Sequence, residues 1–143
     1  MDKSQLLTIF NKQFKEFIDD FARVFPNNKD ISLLKMSIGS LLMITPTIVY
    51  KGYKKFVVDV YRDYIEAGDI NFFIDKDYKS DLHKLEESNQ FTELKRLGPS
   101  TNIMLEKIDA LRGPVREMTP KEQANVIKYM QNMLKLSDLY EQA

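Results

Sequence analysis

Cysteine is absent from this chain, and histidine occurs once, at His83, among 143 residues. A protein without cysteine has no disulfide, no thiolate nucleophile and no cysteine-ligated zinc, and the absence favours a reducing, intracellular location. One histidine cannot form a multi-histidine metal site, so we interpret His83 as a surface residue. The five glycines are isolated from one another, which excludes a glycine-rich phosphate loop, and no GxSxG nucleophile motif occurs. We therefore predict a non-enzymatic protein without a cofactor.

The chain also has no excess of charge of either sign, because 21 lysines and arginines balance 21 aspartates and glutamates. A dedicated nucleic-acid module usually carries a basic excess, since its affinity comes from phosphate neutralisation. The first ten residues lack the basic stretch and apolar run of a secretory signal. Residues 31–50 approach the length of a bilayer span, but Lys35 and Pro46 interrupt them, so we predict two helices and no membrane span.

Apolar residues at helical spacing dominate what the chain does contain. The first helix is predicted from Ser4 to Phe25, with Ser4 as its N-cap. Its main stripe carries four phenylalanines and consists of Leu7, Phe10, Phe14, Phe17, Phe21 and Val24. Four more apolar residues fall outside this stripe: Leu6, Ile9, Ile18 and Phe25. If the monomer leaves them uncovered, they indicate a protein partner.

The second helix is predicted from Ile31 to Ile44, with Asp30 as its N-cap. Its apolar stripe consists of Ile31, Leu34, Ile38, Leu41 and Leu42. Leu33 and Met43 widen this stripe, so we expect the helix to be buried on most sides. Two small residues would let another helix approach closely: Gly39 and Ser40.

The third helix is predicted to start at Thr45 and Pro46 and to reach Ala67, with Gly68 in the left-handed position that ends helices. Its buried stripe is predicted to comprise Val49, Tyr53, Phe56, Val57, Val60 and Tyr64.

The last helix has the clearest start, because Thr119, Pro120 and Glu122 have the form of a capping box. Its predicted face runs towards Tyr140 and consists of Val126, Ile127, Met130, Met133, Leu134 and Ser137.

The middle of the chain is less regular. A short apolar group predicts a helical turn or an extended piece in the core: Ile70, Phe72, Phe73 and Ile74. A loop over residues 75–80 and weaker helices over 81–97 and 100–111 follow, and Gly113 and Pro114 end the last of these. No alternating strand pattern is present. The sequence therefore predicts an all-α fold, a compact single-domain bundle of about six helices over the whole chain, residues 1–143.

One acidic segment partly matches the calcium-binding loop of an EF-hand. Asp75, Asp77 and Glu86 stand at positions 1, 3 and 12 of such a loop, where calcium ligands lie. Lys79 stands at position 5, where its ammonium group would repel the ion. We interpret the segment as a solvated acidic loop, with calcium binding as the alternative.

One cluster combines basic and aromatic residues: Lys51, Lys54 and Lys55 with Tyr50 and Tyr53. Such a cluster can bind nucleic acid, with lysines on phosphates and tyrosines beneath bases. Because Tyr53 also belongs to the apolar stripe, we favour an amphipathic helix with half-buried tyrosines and solvated lysines.

Four residues are candidates for binding a protein partner. Met130 and Met133 could line an adaptable docking groove, as methionine-rich surfaces do, or fill the core. Phe25 and Ile18 belong to the surplus apolar residues of the first helix.

The chain resembles small uncharacterised proteins of nucleocytoplasmic large DNA viruses in three segments, which occur in the same order along most of its length: Phe10–Ile31, Gly68–Tyr78 and Met118–Tyr140. The resemblance implies a viral protein of the host cytoplasm or the virion, and it implies no active-site residue. The apolar segment Ile31–Ile44 is also similar to the central helix of virus-encoded Bcl-2-like proteins, although the NWGR stretch of that family is absent.

We therefore expect a non-catalytic viral structural or protein-interaction protein that packs apolar helices against a protein partner or a second copy of itself. The alternatives are a Bcl-2-like regulator of host cell death or signalling and a nucleic-acid-associated virion protein.

Overall fold

The structure, a computed structural model, describes residues 1–75 and 111–143. Every regular element in these two ranges is helical, which confirms the predicted all-α class. The elements are α1 (Lys3–Val24), α2 (Lys29–Ile44), α3 (Ile48–Tyr53), a π-helical turn (Lys54–Val58), α4 (Asp59–Ala67), α5 (Ile70–Asp75), α6 (Arg112–Glu117) and α7 (Pro120–Gln142). The two helices predicted over residues 81–97 and 100–111, and the loop predicted before them, lie almost wholly outside the described residues.

Helix α1 is the centre of the bundle and packs against α2, α3 and α7. Its fully buried residues are Leu6, Phe10, Phe14, Ile18 and Phe21. Leu7, Phe17 and Phe25 are half-buried against the same core. The monomer therefore covers Leu6 and Ile18, which lie outside the predicted stripe, because a helix with neighbours on two sides buries a wider arc than one stripe.

The caps of the first two helices lie upstream of the predicted ones. Asp2 caps α1, since its Oδ1 accepts a hydrogen bond from Gln5 N at 2.8 Å and its own N–H donates to Gln5 Oε1 at 3.1 Å. Asn28 caps α2 through an Oδ1 that accepts from Ile31 N at 3.1 Å. Ser4 and Asp30, the predicted caps, lie inside the first turns.

The turn between α2 and α3 divides the apolar segment 31–50 as predicted. Thr45 ends α2 by donating its N–H to Leu41 O at 2.8 Å, and Ile48 N donates to Thr45 O at 3.1 Å. Thr45 therefore closes α2 and does not start the third helix, which begins at Ile48. In the described ranges no helix has both the length and the apolar character that crossing a membrane requires.

The π-helical turn changes which residues of the third predicted helix face the core. Asp59 N donates to Lys54 O, five residues back, so the turn contains one residue more than an α-helix would. From the last residue of this turn onward, the buried residues are Val58, Tyr61 and Ile65. Each lies one position after its predicted counterpart, and the predicted Val60 and Tyr64 are exposed. Gly68 adopts the predicted left-handed conformation, with φ of 68°.

Helices α5, α6 and α7 agree with the predictions made from the sequence, except at Gly113 and Pro114. The irregular apolar group forms α5, whose first turn is closed by Asp69 Oδ1 accepting from Phe72 N at 3.1 Å. Gly113 and Pro114 lie inside α6 and do not end a helix, so that prediction is wrong. The capping box of Thr119 is confirmed, and the buried face of α7 is the predicted one: Val126, Ile127, Met130, Met133, Leu134 and Ser137.

A bidentate ion pair ties α4 to α7. Arg62 donates from its two terminal nitrogens to the two carboxylate oxygens of Asp138, at 3.0 and 2.7 Å. Glu66 lies 3.5 Å from the same guanidinium. The hydrogen bonds from Arg62 hold the pKa of the Asp138 carboxyl below its usual range.

We expect Asp138→Asn to lower the free energy of unfolding at pH 7 by less than about 1 kcal/mol, because both partners are partly exposed and screened. A lowered carboxyl pKa stabilises the fold above the ordinary aspartate value of about 4, and this contribution is lost as pH falls through the lowered value. We therefore expect the melting temperature, measured between pH 7 and pH 2, to fall less steeply below pH 4 in the variant than in the unsubstituted chain. Arg62→Met should give the same flattening, and an unchanged profile in both variants would contradict the pairing.

Candidate functional site

Half of the large apolar side chains that are exposed in the described residues lie on α2. They are Leu33, Met36, Met43 and Ile44, with exposed fractions of 46, 69, 87 and 79%. We call these four residues, together with Gly39 and Ser40 among them, the outer face of α2. A surface helix normally carries polar residues on its outward side, so this face is unusual.

The outer face is opposite the core of the bundle. At 100° per residue, Met36 and Met43 point away from the buried stripe of the same helix, which consists of Ile31, Leu34, Ile38 and Leu41. The predicted stripe of α2 is thus confirmed at these four positions. The prediction that Leu33 and Met43 widen the buried face is wrong, because both are exposed.

No charged residue lies between Lys35 and Lys51 in the sequence. Lys35 itself belongs to the side of α2 that adjoins α1, where its Nζ lies 3.2 Å from Asp19 Oδ1. A partner confined to Met36, Met43 and Ile44 would consequently cover no charged residue, because residues 36–44 contain none.

Open space adjoins the middle of this face. A Cβ atom built on Gly39 would meet no other atom within 4 Å. Ser40 is exposed beside it. The expected close approach of another helix to these small residues therefore does not occur within the described part of the chain, and a side chain from a partner could enter there.

Both ends of α2 are fixed to the rest of the fold. Asn28 caps its start, and Thr45 closes its last turn. The chain beyond it is attached to α1 by Asn11, whose Nδ2 donates to Pro46 O at 2.9 Å. Because the helix is anchored at each end and its inner side is buried, the backbone of the outer face is positioned before any contact, which reduces the entropy cost of binding.

The four residues predicted to bind a partner do not lie on the outer face of α2. Ile18 is 2% exposed, Met130 9% and Met133 0%, so all three belong to the core. Phe25 is half-buried against that core. The hypothesis of an accessible docking surface is therefore wrong for Ile18, Met130 and Met133, and the alternative that the two methionines fill the core is confirmed.

The basic-aromatic cluster does not form a stacking platform, because both of its tyrosines are buried. Tyr53 OH donates to Met130 O at 3.0 Å, and Tyr50 OH donates to Glu141. Burial raises the pKa of both hydroxyls above their ordinary value, and the Glu141 carboxylate adds to the effect at Tyr50, so both remain donors. Lys54 is paired with Asp59. Lys51 is solvent-exposed, in agreement with the favoured amphipathic interpretation.

Of the candidate calcium ligands, only Asp75 lies in the described residues. Its Oδ1 is 3.4 Å from the guanidinium of Arg116, which also donates to Ile74 O at 3.3 Å. Asp77, Glu86 and the single histidine lie outside the described ranges. In residues 1–75 and 111–143, no three acidic or histidine side chains come together as metal ligands would.

A shallow cavity of about 180 Å³ lies between α1 and α7. Phe17, Phe21 and Tyr129 line its apolar part. Asp20 closes one side by accepting a hydrogen bond from Tyr129 OH at 2.5 Å and by pairing with Arg23. Asp20, Arg23 and Tyr129 are thus paired with one another, and Glu122, which also lines the cavity, is bonded to Thr119 in the capping box.

The exposure of the outer face of α2 was not predicted from the sequence, although the residues of this helix contain a sign that another helix packs against it. A helix that is apolar all round is expected to be buried all round. The additional clue is that α2 alternates large residues such as Met36 and Met43 with small ones such as Gly39 and Ser40. That alternation is typical of a helix that packs against a second helix.

Comparisons of the chain with models of protein families, with curated proteins and with solved structures gave no match.

Proposed function

We propose that this is a non-catalytic protein-interaction protein whose contact surface is the outer face of α2. The observation that carries the proposal is the exposure of Leu33, Met36, Met43 and Ile44 on a helix whose outer side has no charge along its last nine residues, 36–44. Contiguous exposed apolar surface of this kind is typical of protein-binding sites.

The driving force for binding would come from burial of apolar area. A methionine or isoleucine side chain contributes about 1.5–3 kcal/mol when it passes from full exposure to full burial. Met43 and Ile44 are 87 and 79% exposed, so most of this contribution is still available to a partner. Methionine also adapts its shape to the surface that it meets, since its side chain is unbranched and flexible.

The setting that we propose is the cytoplasm of a virus-infected cell or the virus particle. This part of the proposal rests on the sequence resemblance to small proteins of large DNA viruses. The neutral net charge of the chain and the burial of Tyr50 and Tyr53 favour a protein partner over a nucleic acid.

Site-specific photo-crosslinking tests this function in cells that produce the protein. A photo-reactive amino acid is placed at position 36 or 43, and a matched control is placed at Lys12, an exposed polar position on α1. We expect positions 36 and 43 to give adducts with one defined protein segment, identified by mass spectrometry, that Lys12 does not give. Adding Leu33→Glu to the same chain should remove these adducts. Equal adducts from all three positions, or none at 36 and 43, would refute the proposed function.

A further inference from the structure

We infer that the outer face of α2 binds the same face of a second copy of this chain, with the two α2 helices antiparallel. This inference rests on the proposed function, because it names the partner of that same surface. The two-fold axis would pass between Gly39 and Ser40, which lie midway between Met36 and Met43 in the sequence.

The first argument is that the face is complementary to itself. Met36 and Met43 project from it, and the small residues Gly39 and Ser40 leave open space between them. In an antiparallel pair centred on this midpoint, Met36 of each copy lies beside Met43 of the other, and each small pair faces its counterpart. The small residues of the two copies then meet at the axis, where the helices can approach closely, and the methionines pack side by side on either side of it, so each contact occurs twice, as in an isologous, two-fold interface.

The second argument concerns charge. Two identical surfaces repel each other if they carry charge, but the outer face has none between Lys35 and Lys51. The whole chain also has a formal net charge of zero, so two copies approach without long-range repulsion. A partner of strongly charged chemistry would find no complementary group on this face.

The third argument sets the direction of the helices. In a parallel pair, Lys29 of one copy would lie beside Lys29 of the other, and the two helix dipoles would be aligned in the same sense. In the antiparallel pair centred between Gly39 and Ser40, each Lys29 lies beyond the end of the opposite α2. Antiparallel packing therefore removes a like-charge contact and opposes the dipoles.

The expected affinity follows from the size of the contact. Helix α2 has 16 residues and is thus about 24 Å long. A single pair of helices of this length buries less than the roughly 1,600 Å² of a standard interface, and contacts at the low end of that scale are transient. We therefore expect a monomer–dimer equilibrium with a dissociation constant on the order of micromolar.

Sedimentation equilibrium of the purified 143-residue chain over a wide concentration range tests the association. We expect the double variant Met36→Glu/Met43→Glu to raise the dissociation constant about 100-fold or more, because each copy would bury two carboxylates in an apolar contact. Leu139→Glu is the matched control, since Leu139 is 49% exposed on α7, away from this face. It should leave the equilibrium unchanged.

Engineered cysteines test the orientation, because the native chain has none. An antiparallel contact predicts that a mixture of the single variants M36C and M43C forms the mixed disulfide faster than either forms its own homodimer. S40C alone should cross-link with itself near the axis. A parallel arrangement would reverse the preference and would overturn the proposed geometry.

The possible outcomes separate the two proposals. A chain that stays monomeric at all concentrations overturns self-association, whereas the proposed function stands if the photo-crosslinks lead to another protein. If the chain is monomeric and the double variant strongly lowers its melting temperature, both proposals are overturned, because the face would then be covered within the monomer.

Discussion

Phe10→Ala is expected to lower the free energy of unfolding by about 3–5 kcal/mol, the range of phenylalanine truncations in a core. Phe10 is 1% exposed. Its ring centroid lies 5.4 Å from that of Tyr50 and 5.6 Å from that of Tyr53, both in edge-on arrangements. Because these rings join α1 to α3, the substitution removes aromatic pairings in addition to buried area, and it leaves a cavity that rigid neighbours cannot fill. Small domains are stable by only about 5–15 kcal/mol, so the loss would be a large part of the total.

Urea unfolding followed by far-ultraviolet circular dichroism would measure this loss. The control is Leu139→Ala, which also shortens an apolar side chain of a long helix, but at a position that is 49% exposed. We expect the control to change the free energy of unfolding by no more than about 0.5 kcal/mol. Similar losses in the two variants would mean that Phe10 does not occupy the core.

The phenylalanine stripe of α1 shows which parts of a fold are accessible from sequence. Its periodicity correctly predicts a helix and places Phe10, Phe14 and Phe21 in the core. It does not predict the burial of Leu6 or Ile18, because the width of a buried arc depends on how many neighbours a helix has. Helix α7, in contrast, buries the predicted face without change, and the apolar residues that adjoin this face, Tyr129, Leu136 and Tyr140, are only partly buried against the core.

The candidate site was harder to predict for a related physical reason. The periodicity of α2 correctly predicts its buried stripe at Ile31, Leu34, Ile38 and Leu41, but apolar residues continue around the helix, so the sequence does not say how far the covered side extends. In α2, Leu34 and Ile38 are buried, while Met36 and Met43 are exposed, although all four are similarly hydrophobic. The positions of α1 and α3 in the fold determine where the covered side of α2 ends and the exposed side begins. The apolar residues of the outer face can therefore be read from the sequence, whereas their exposure can be seen only in the fold.

The π-helical turn is the reason that the periodic pattern of the third predicted helix gave the wrong buried residues. A second stability prediction follows from it. We expect Ile65→Ala to lower the free energy of unfolding by about 2–5 kcal/mol, because Ile65 is fully buried and alanine would leave a cavity. An uninterrupted α-helix from residue 48 would turn Tyr64, not Ile65, towards the core. The extra residue accommodated between Lys54 and Asp59 rotates the rest of the helix by one position and brings Ile65 inwards.

Val60→Ala is the matched control for this register. The uninterrupted helix places Val60 in the core, whereas beyond the π-helical turn it is 52% exposed. Alanine favours helix more than valine does, so we expect the control to cost less than about 0.5 kcal/mol or to stabilise the fold slightly. Unfolding in urea, measured for both variants under the same conditions, reports the difference directly. If Val60→Ala proved the more costly substitution, α4 would follow the uninterrupted helical register, and the one-residue rotation would be refuted.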